Sequence, residues 1–449
     1  MGNLQTVVKA YDIRGLVPEE LDEDLTRELG AAFGILVLEL DPTTRKIAMG
    51  RDMRNSSELL SVAFAEGVNS RGVDVIDIGL ASTDMVYFAS GRLGVPAAML
   101  TASHNPSEYN GIKLCLAGAR PVGEETGLKR IADLVSGGIK SAGRKGSLTN
   151  LDLSEDFAEH VRSFIDLENL KPLKVIADTA NGMGGLVLPK VFEKLPVELE
   201  ILYPELDGNF PNHPADPIKV ENLGDLCNRV LETSADLGLA FDGDADRVFL
   251  VDQRGLPISS SLTTALVAER ILKLEPGSKV VYNLICSRVV PEIIVECGGY
   301  PIRSRVGHSF MKSCMAAERA SFGGEHSGHY YFRKNFGADS GLIAALITLE
   351  ALSDHGGTLS SLVKPYERYV SSGEINFAVD NPTEMIDFVG KKWSDYPQDH
   401  LDGLTVDVGK WWFNLRPSNT EPFLRLNLEA GDQESCSVGI SELEKLLVQ

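Results

Sequence analysis

Three stretches of the chain open alike: Arg45-Lys46-Ile47-Ala48-Met49-Gly50, Leu173-Lys174-Val175-Ile176-Ala177-Asp178 and Ser278-Lys279-Val280-Val281-Tyr282-Asn283. Each is a short apolar run of the kind that forms a buried parallel strand. Each is followed by a helical stretch and a second strand-like run, at residues 73–78, 197–202 and 300–305. A third short strand then leads into a polar loop: Thr101-Ala102-Ser103-His104-Asn105-Pro106, Asp242-Gly243-Asp244-Ala245-Asp246-Arg247 and Gly324-Glu325-His326-Ser327-Gly328-His329. Three units built the same way predict three similar α/β domains, in which ligands gather beyond the C-terminal ends of the strands. After Ser371 the pattern changes to a strand at 373–379, a helix at 382–393, two or three strand-like runs between 404 and 428 and a closing helix from about Glu434. That order suits a small C-terminal α+β domain. Breaks near the Gly137–143 stretch, the 252–257 turn and Lys364-Pro365 place the boundaries at 1–150, 151–254, 255–368 and 369–449.

The middle loop carries the clearest chemistry. Asp242, Asp244 and Asp246 fall on alternate residues after an apolar strand, and three carboxylates this close repel unless a divalent ion sits among them. Gly243 and Ala245 let the loop curl, and oxygen ligands without a nearby cysteine favour Mg²⁺ over zinc. The bland alternative is an acidic turn, which the strand context and the adjacent Arg247 disfavour. Six cysteines without a C-x-x-C pair suggest neither a zinc knuckle nor a disulfide framework. His326 and His329 are three apart but not in the order of a zinc-protease motif.

A net charge of −21 excludes nucleic acid and anionic membrane as partners, because both need a basic face. No apolar run is long enough to span a bilayer and no basic-then-apolar leader opens the sequence, so the expected location is cytoplasmic. Any phosphate ester bound by so acidic a chain must meet a locally collected group of cations.

Taken together, the loops resemble those of the α-D-phosphohexomutases, the phosphomannomutase/phosphoglucomutase family, and the resemblance covers essentially the whole chain. Thr101 to Pro106 is similar to that family's phosphoserine loop, Asp242 to Arg247 to its magnesium loop, Gly324 to His329 to its sugar-recognition loop, and Arg416-Pro417-Ser418-Asn419-Thr420-Glu421-Pro422 to its phosphate-binding loop. The resemblance implies three similar mixed α/β domains plus a C-terminal α+β domain around a central cleft. It implies reversible phosphoryl transfer between C6 and C1 of a hexose phosphate, mannose and also glucose, through phosphorylated Ser103 and a bound hexose 1,6-bisphosphate, which also serves as activator. Mg²⁺ would be held by Asp242, Asp244, Asp246 and the Ser103 phosphate. Cationic help would come from Arg247, Lys113 and Arg14, the last in Tyr11-Asp12-Ile13-Arg14-Gly15. A general base is wanted for the sugar hydroxyl, and both Lys113 and His308 qualify. His104 could orient the phosphoserine loop. The substrate would be gripped by Tyr11, Glu325 and Ser327 at the sugar and by Arg416, Ser418, Asn419 and Thr420, with support from Arg425, at the non-reacting phosphate. The partners would be small hexose phosphates, met by a monomer or homodimer.

One departure stands out: some relatives carry a lysine where Ile285 stands, and Arg288 is a possible substitute. Phosphoglucosamine mutase is the rival within the family, disfavoured by Asn419 and His326. A Mg²⁺-dependent sugar phosphatase is the rival from another class, disfavoured by the separate Arg416 loop. A non-catalytic phosphosugar-binding protein would need neither Ser103 nor the aspartate triplet.

Overall fold

The computed structural model describes residues 4–9, 11–139, 145–417 and 423–447. Each of the three repeated units forms its own sheet, and the opening strand lies between the unit's second and third strands. Lys46–Arg51 runs parallel to Asp74–Leu80 and Ala97–Leu100, Leu173–Asp178 to Val197–Leu202 and Leu237–Phe241, and Lys279–Asn283 to Tyr300–Ser304 and Phe322–Gly324. The third strand of each unit then pairs antiparallel with a fourth: Ala97–Leu100 with Tyr109–Leu116, Leu237–Phe241 with Val248–Asp252, and Phe322–Gly324 with Tyr330–Phe332. The sheets are therefore mixed, and each polar loop is the tip of a hairpin at the C-terminal end of a buried strand. Both strands flanking the aspartate loop are buried at every position. Their side chains pack on both faces, so the hairpin has no freedom to shift register without moving apolar groups into water.

The second sheet ends in an edge strand, Pro257–Ile258, that pairs Leu250 with Ile258. The turn at residues 252–257 is thus a hairpin inside this sheet, although its Gly-Leu-Pro composition reads as a break between units. One continuous apolar core joins the three units, running from Met85 and Phe88 through Phe157 and Val187 to Phe322 and Leu346. The fourth unit has a separate core around Val389, Phe413, Leu426 and Leu443. Its antiparallel sheet orders Val370–Ala378, Phe423–Ala430, Trp411–Pro417, Leu404–Asp407 and Gln398–Asp399, backed by helices Pro382–Lys392 and Gln433–Leu447. The first of these helices starts where it does because the Asn381 side chain accepts from Glu384 N at 3.2 Å and Pro382 presets the first turn.

The fourth unit meets the third through polar groups. Arg303 bonds Asp399 at 2.9 Å, Arg288 bonds Asp407 at 2.7 Å, and Val306 N donates to Asp402 at 3.1 Å. Arg288 is therefore engaged between domains. The six cysteines are all free, and among the described residues no helix is long and apolar enough to cross a membrane.

Helices Glu23–Leu40 and Ser57–Asn69 approach so closely that a Cβ on Gly67 would lie 2.0 Å from the Arg27 carbonyl oxygen. Gly67→Ala is expected to destabilise the fold by about 1–3 kcal/mol through forced separation of these helices. The check is a lower midpoint of thermal unfolding, and an unchanged midpoint would contradict the close packing.

Candidate active site

Ser103 occupies the tip of the first hairpin with φ at 52°, a left-handed conformation that a non-glycine residue keeps only when its surroundings enforce it. Its N–H donates to Thr101 Oγ1 at 2.9 Å, and its side chain is buried. The hydroxyl donates to Asp242 Oδ2 at 2.9 Å and lies 3.2 Å from His104 Nδ1. The phosphoserine-like and metal-like loops thus meet, although 139 residues separate them in sequence.

Asp242, Asp244 and Asp246 are each at most 1% exposed, and one carboxylate oxygen from each lies within 4.8 Å of the others. Burial pushes Asp242 up to about 7, with the charges of Asp244 and Asp246 adding to the rise and Arg247 opposing it. Burial also works against the charge of Asp244, but Lys113 and the Thr83 hydroxyl hold it well below the usual carboxylate range. Lys113 Nζ donates to Asp244 Oδ2 at 2.6 Å and Asp246 Oδ2 at 2.8 Å, and those two charges outweigh its burial and hold the ammonium well above its ordinary range. The opposite oxygens, Asp244 Oδ1 and Asp246 Oδ1, are buried with no hydrogen-bond partner among the described residues. Leaving such atoms unpaired costs on the order of 1–3 kcal/mol each, more for charged groups. Two orphaned carboxylate oxygens beside a third carboxylate and a serine hydroxyl form the all-oxygen donor set that suits Mg²⁺.

Arg247 spans both loops. Its backbone N–H and Nε donate to Asp242 at 3.2 and 2.8 Å, Nη2 lies 3.3 Å from Ser103 Oγ, and Nη2 also meets His104 Nδ1. The last contact needs an imidazole lone pair, and burial together with Arg247 keeps His104 well below its ordinary value and so neutral. Arg14 donates to Asn105 Oδ1 at 2.6 Å and pairs with Asp12, so it braces the same loop from the first strand, Ile13–Leu16.

These groups open onto a cavity of about 810 Å³, within the size range of small-ligand sites. Tyr11, Arg14, Ser103, His104 and Lys113 reach it from the first unit, Asp246 and Arg247 from the second, and His308, His329 and Asp339 from the third. His308 is the first residue of helix His308–Glu318, and its ring packs edge-on against Tyr11 with centroids 5.3 Å apart. Burial, then the Lys312 ammonium, press it down to about 3, so it is neutral with a lone pair to offer.

Glu325 is buried, held by the Tyr331 hydroxyl at 2.5 Å and Asn283 Nδ2 at 3.1 Å. Ser327 is half-buried in the same loop, and neither residue lines the large cavity. Arg416 faces the same region: after burial, its charge is the largest influence lowering His326 to about 3, and Arg425 contributes as well. Arg416 and Arg425 are direct cross-strand partners. Like charges in that relation repel. Glu374 answers them at 2.8 and 3.5 Å. Ser418, Asn419 and Thr420 lie outside the described residues.

Several participants carry no motif. Thr83 begins the helix Thr83–Leu93 and clasps Asp244 twice, by N–H to the carbonyl at 3.0 Å and by hydroxyl to the carboxylate at 2.5 Å. Lys312 pairs with Asp339 at 2.7 Å and lies 3.7 Å from the Tyr87 ring centroid, while Asp339 also bonds His329 Nδ1 at 2.9 Å. Position past a strand end would have flagged Asp52 and Arg54, which directly follow Lys46–Arg51. Nothing in the local sequence marks Thr83 or Asp339.

Four domain families match the chain: phosphoglucomutase/phosphomannomutase alpha/beta/alpha domain I over residues 5–140, domain II over 155–255, domain III over 260–369, and the C-terminal domain over 374–437. The chain belongs to the phosphoglucomutase/phosphomannomutase family. It is 40% identical to a protein of Xanthomonas campestris pv. campestris named phosphohexose mutases, with 98% of each chain covered. It is 39% identical to a phosphomannomutase of Escherichia coli K12, with 95% of each covered. The crystal structure of a phosphoglucomutase/phosphomannomutase family protein from Burkholderia thailandensis superposes with a TM-score of 0.91 at 31% identity, covering 100% of this chain and 98% of that one.

A Cβ at Gly243 would lie 2.4 Å from the Ser103 carbonyl oxygen, so the two loops touch backbone to backbone. Gly243→Ala is expected to push them apart and cost on the order of 10²-fold in turnover, since displacements near 1 Å have that effect. Steady-state kinetics beside a melting curve provide the check, and full activity would contradict the contact.

Proposed function

We propose that this protein is a phosphomannomutase/phosphoglucomutase, an isomerase that moves a phosphoryl group between C6 and C1 of mannose and glucose phosphates. Ser103 is the phosphoryl carrier. The observation that carries this reading is the Ser103 hydroxyl, 2.9 Å from Asp242 and 3.3 Å from the Arg247 guanidinium at the wall of a sugar-sized cavity.

In the forward half-reaction a hydroxyl oxygen of the bound hexose phosphate attacks the phosphorus on Ser103, and the bond from phosphorus to Oγ breaks. The hydroxyl proton passes to a base, and the neutral imidazole of His308 is the better suited acceptor, since Lys113 is held charged by Asp244 and Asp246. Arg247 stabilises the departing Ser103 oxygen. The resulting hexose 1,6-bisphosphate turns end for end and returns its other phosphate to Ser103. Mg²⁺, when held by Asp242, Asp244 and Asp246, supplies positive charge against the phosphoserine oxygens. Throughout, Arg416 and Arg425, with Ser418, Asn419 and Thr420, clamp the phosphate that is not reacting, while Glu325 and Ser327 read sugar hydroxyls and Tyr11 and Arg14 border the reacting end. The two-guanidinium site favours a mutase over a phosphatase, because hydrolysis has no need to grip the far end. The working form is a cytoplasmic monomer or homodimer.

Ser103→Ala is expected to lower mutase turnover by at least about 10³-fold with the fold intact. A coupled assay on mannose 1-phosphate and glucose 1-phosphate with the bisphosphate activator measures this, and near-normal turnover would refute the carrier role. Asp244→Asn should weaken activation by Mg²⁺ and lower the rate together. An unaltered metal titration would remove the triplet from the ligand set.

A further inference from the structure

Arg54 is 3% exposed and does not line the catalytic cavity. Every N–H of its guanidinium is nevertheless committed, and four of the five acceptors are backbone carbonyls of the segment that carries Ser103. Nη2 donates to the carbonyls of Ser103 at 2.9 Å and Asn105 at 2.6 Å, and Nη1 to those of Pro106 at 2.7 Å and Tyr109 at 3.0 Å. Nε completes the set at Asp52 Oδ2, 3.2 Å away. Asp52 is itself fixed by the Arg54 N–H at 3.0 Å and the Ser57 hydroxyl at 2.5 Å.

A turn of the second domain closes over this arrangement. The Phe210 ring centroid lies 5.1 Å from the Arg54 guanidinium carbon, and Asn55 Nδ2 donates to Asn209 Oδ1 at 3.0 Å. A Cβ on Gly208 would sit 2.6 Å from Arg54 Cα. The guanidinium is thus walled off from the cavity, with no donor left for a substrate phosphate.

We propose that Arg54 is a positioning residue, which holds Ser103 in its left-handed conformation by gripping the Ser103 carbonyl and three carbonyls of the segment that follows it, with Phe210 sealing the brace from the second domain. The inference rests on the reading of Ser103 as phosphoryl carrier. Its physical content is geometric. The planar fork of arginine can satisfy several carbonyls of one loop at fixed angles, whereas the three donors of lysine on a flexible stem cannot. Without the fork, Ser103 is free to leave φ near 52° and its hydroxyl to leave Asp242.

The test loads purified full-length protein with glucose 1,6-bisphosphate, follows phosphate on Ser103 by intact-protein mass spectrometry, and then measures steady-state kinetics with glucose 1-phosphate. Arg54→Lys is expected to slow both charging and kcat by on the order of 10²-fold, with KM within about threefold of the original. In Arg54→Ala, added guanidinium ion should restore roughly tenfold or more of the lost kcat. Charging and kcat within about threefold of the original in Arg54→Lys, or an Arg54→Ala variant that is folded yet untouched by guanidinium, would overturn the inference. Should neither arginine variant fold, Phe210→Leu decides: it leaves the five hydrogen bonds in place, and a charging rate lowered by about threefold or more at an unchanged melting point supports the brace, while an unchanged rate overturns it. Failure of the underlying reading shows separately, because the unmodified protein would then take up no phosphate and Ser103→Ala would match its turnover.

Discussion

Charge neutralisation in a buried space is the constraint on which the rest of this structure depends. Three carboxylates at most 1% exposed stand within reach of one point, and they persist only because Lys113 and Arg247 stand among them. Pairing of this kind roughly offsets the cost of desolvation and adds little net stability. What it provides is geometry, since each cation can satisfy its acids only from one side. Lys113 takes Asp244 and Asp246 by their Oδ2 atoms, and the Oδ1 atoms are left without a hydrogen-bond partner among the described residues, with His329 Nδ1 3.8 Å from that of Asp246.

That geometry is assembled from three sheets that share a core. The aspartate loop is tied to the first unit by Thr83, to its own by Met183 N donating to the Gly243 carbonyl at 2.9 Å, and to the third by Val248 N donating to the Gly328 carbonyl at 3.3 Å. Continuous apolar packing beneath the loops makes them a single rigid wall. The C-terminal unit is different. It has its own core and meets the third unit through ion pairs and a backbone bond to Asp402, an interface of the kind that can slide or open at small cost. The wall formed by the three units is held fixed, and the C-terminal unit is the part free to move against it.

The repeated strands, the polar loops and the C-terminal domain were legible in the sequence, because each rests on a local pattern: apolar runs of strand length, and polar loops with glycine or proline at their turns; the antiparallel fourth strands that make the loops hairpins were not. The three aspartates and Arg247 stand out for the same reason, as residues at strand ends with the right neighbours, whereas Ser103 and Lys113 stand out only through the family resemblance of the loops around them. Thr83, Lys312 and Asp339 do not, since their partners are brought to them only by the packing of one domain on another. Arg288 is a case of the same kind, since only the tertiary structure reveals Asp407 as its partner. The edge strand Pro257–Ile258 was hidden by the very Gly-Leu-Pro residues that make its hairpin.

The enclosure of Ser103 has a consequence for how the protein comes to work at all. With 4% of its surface reachable and a neighbouring domain's backbone against its carbonyl, this hydroxyl cannot be offered to the active site of a protein kinase without prising two domains apart. Whatever reacts with it has to be small enough to enter the hollow. On the proposed reading of Ser103 as carrier, a freshly made chain would take its first phosphate from a small donor rather than from another protein.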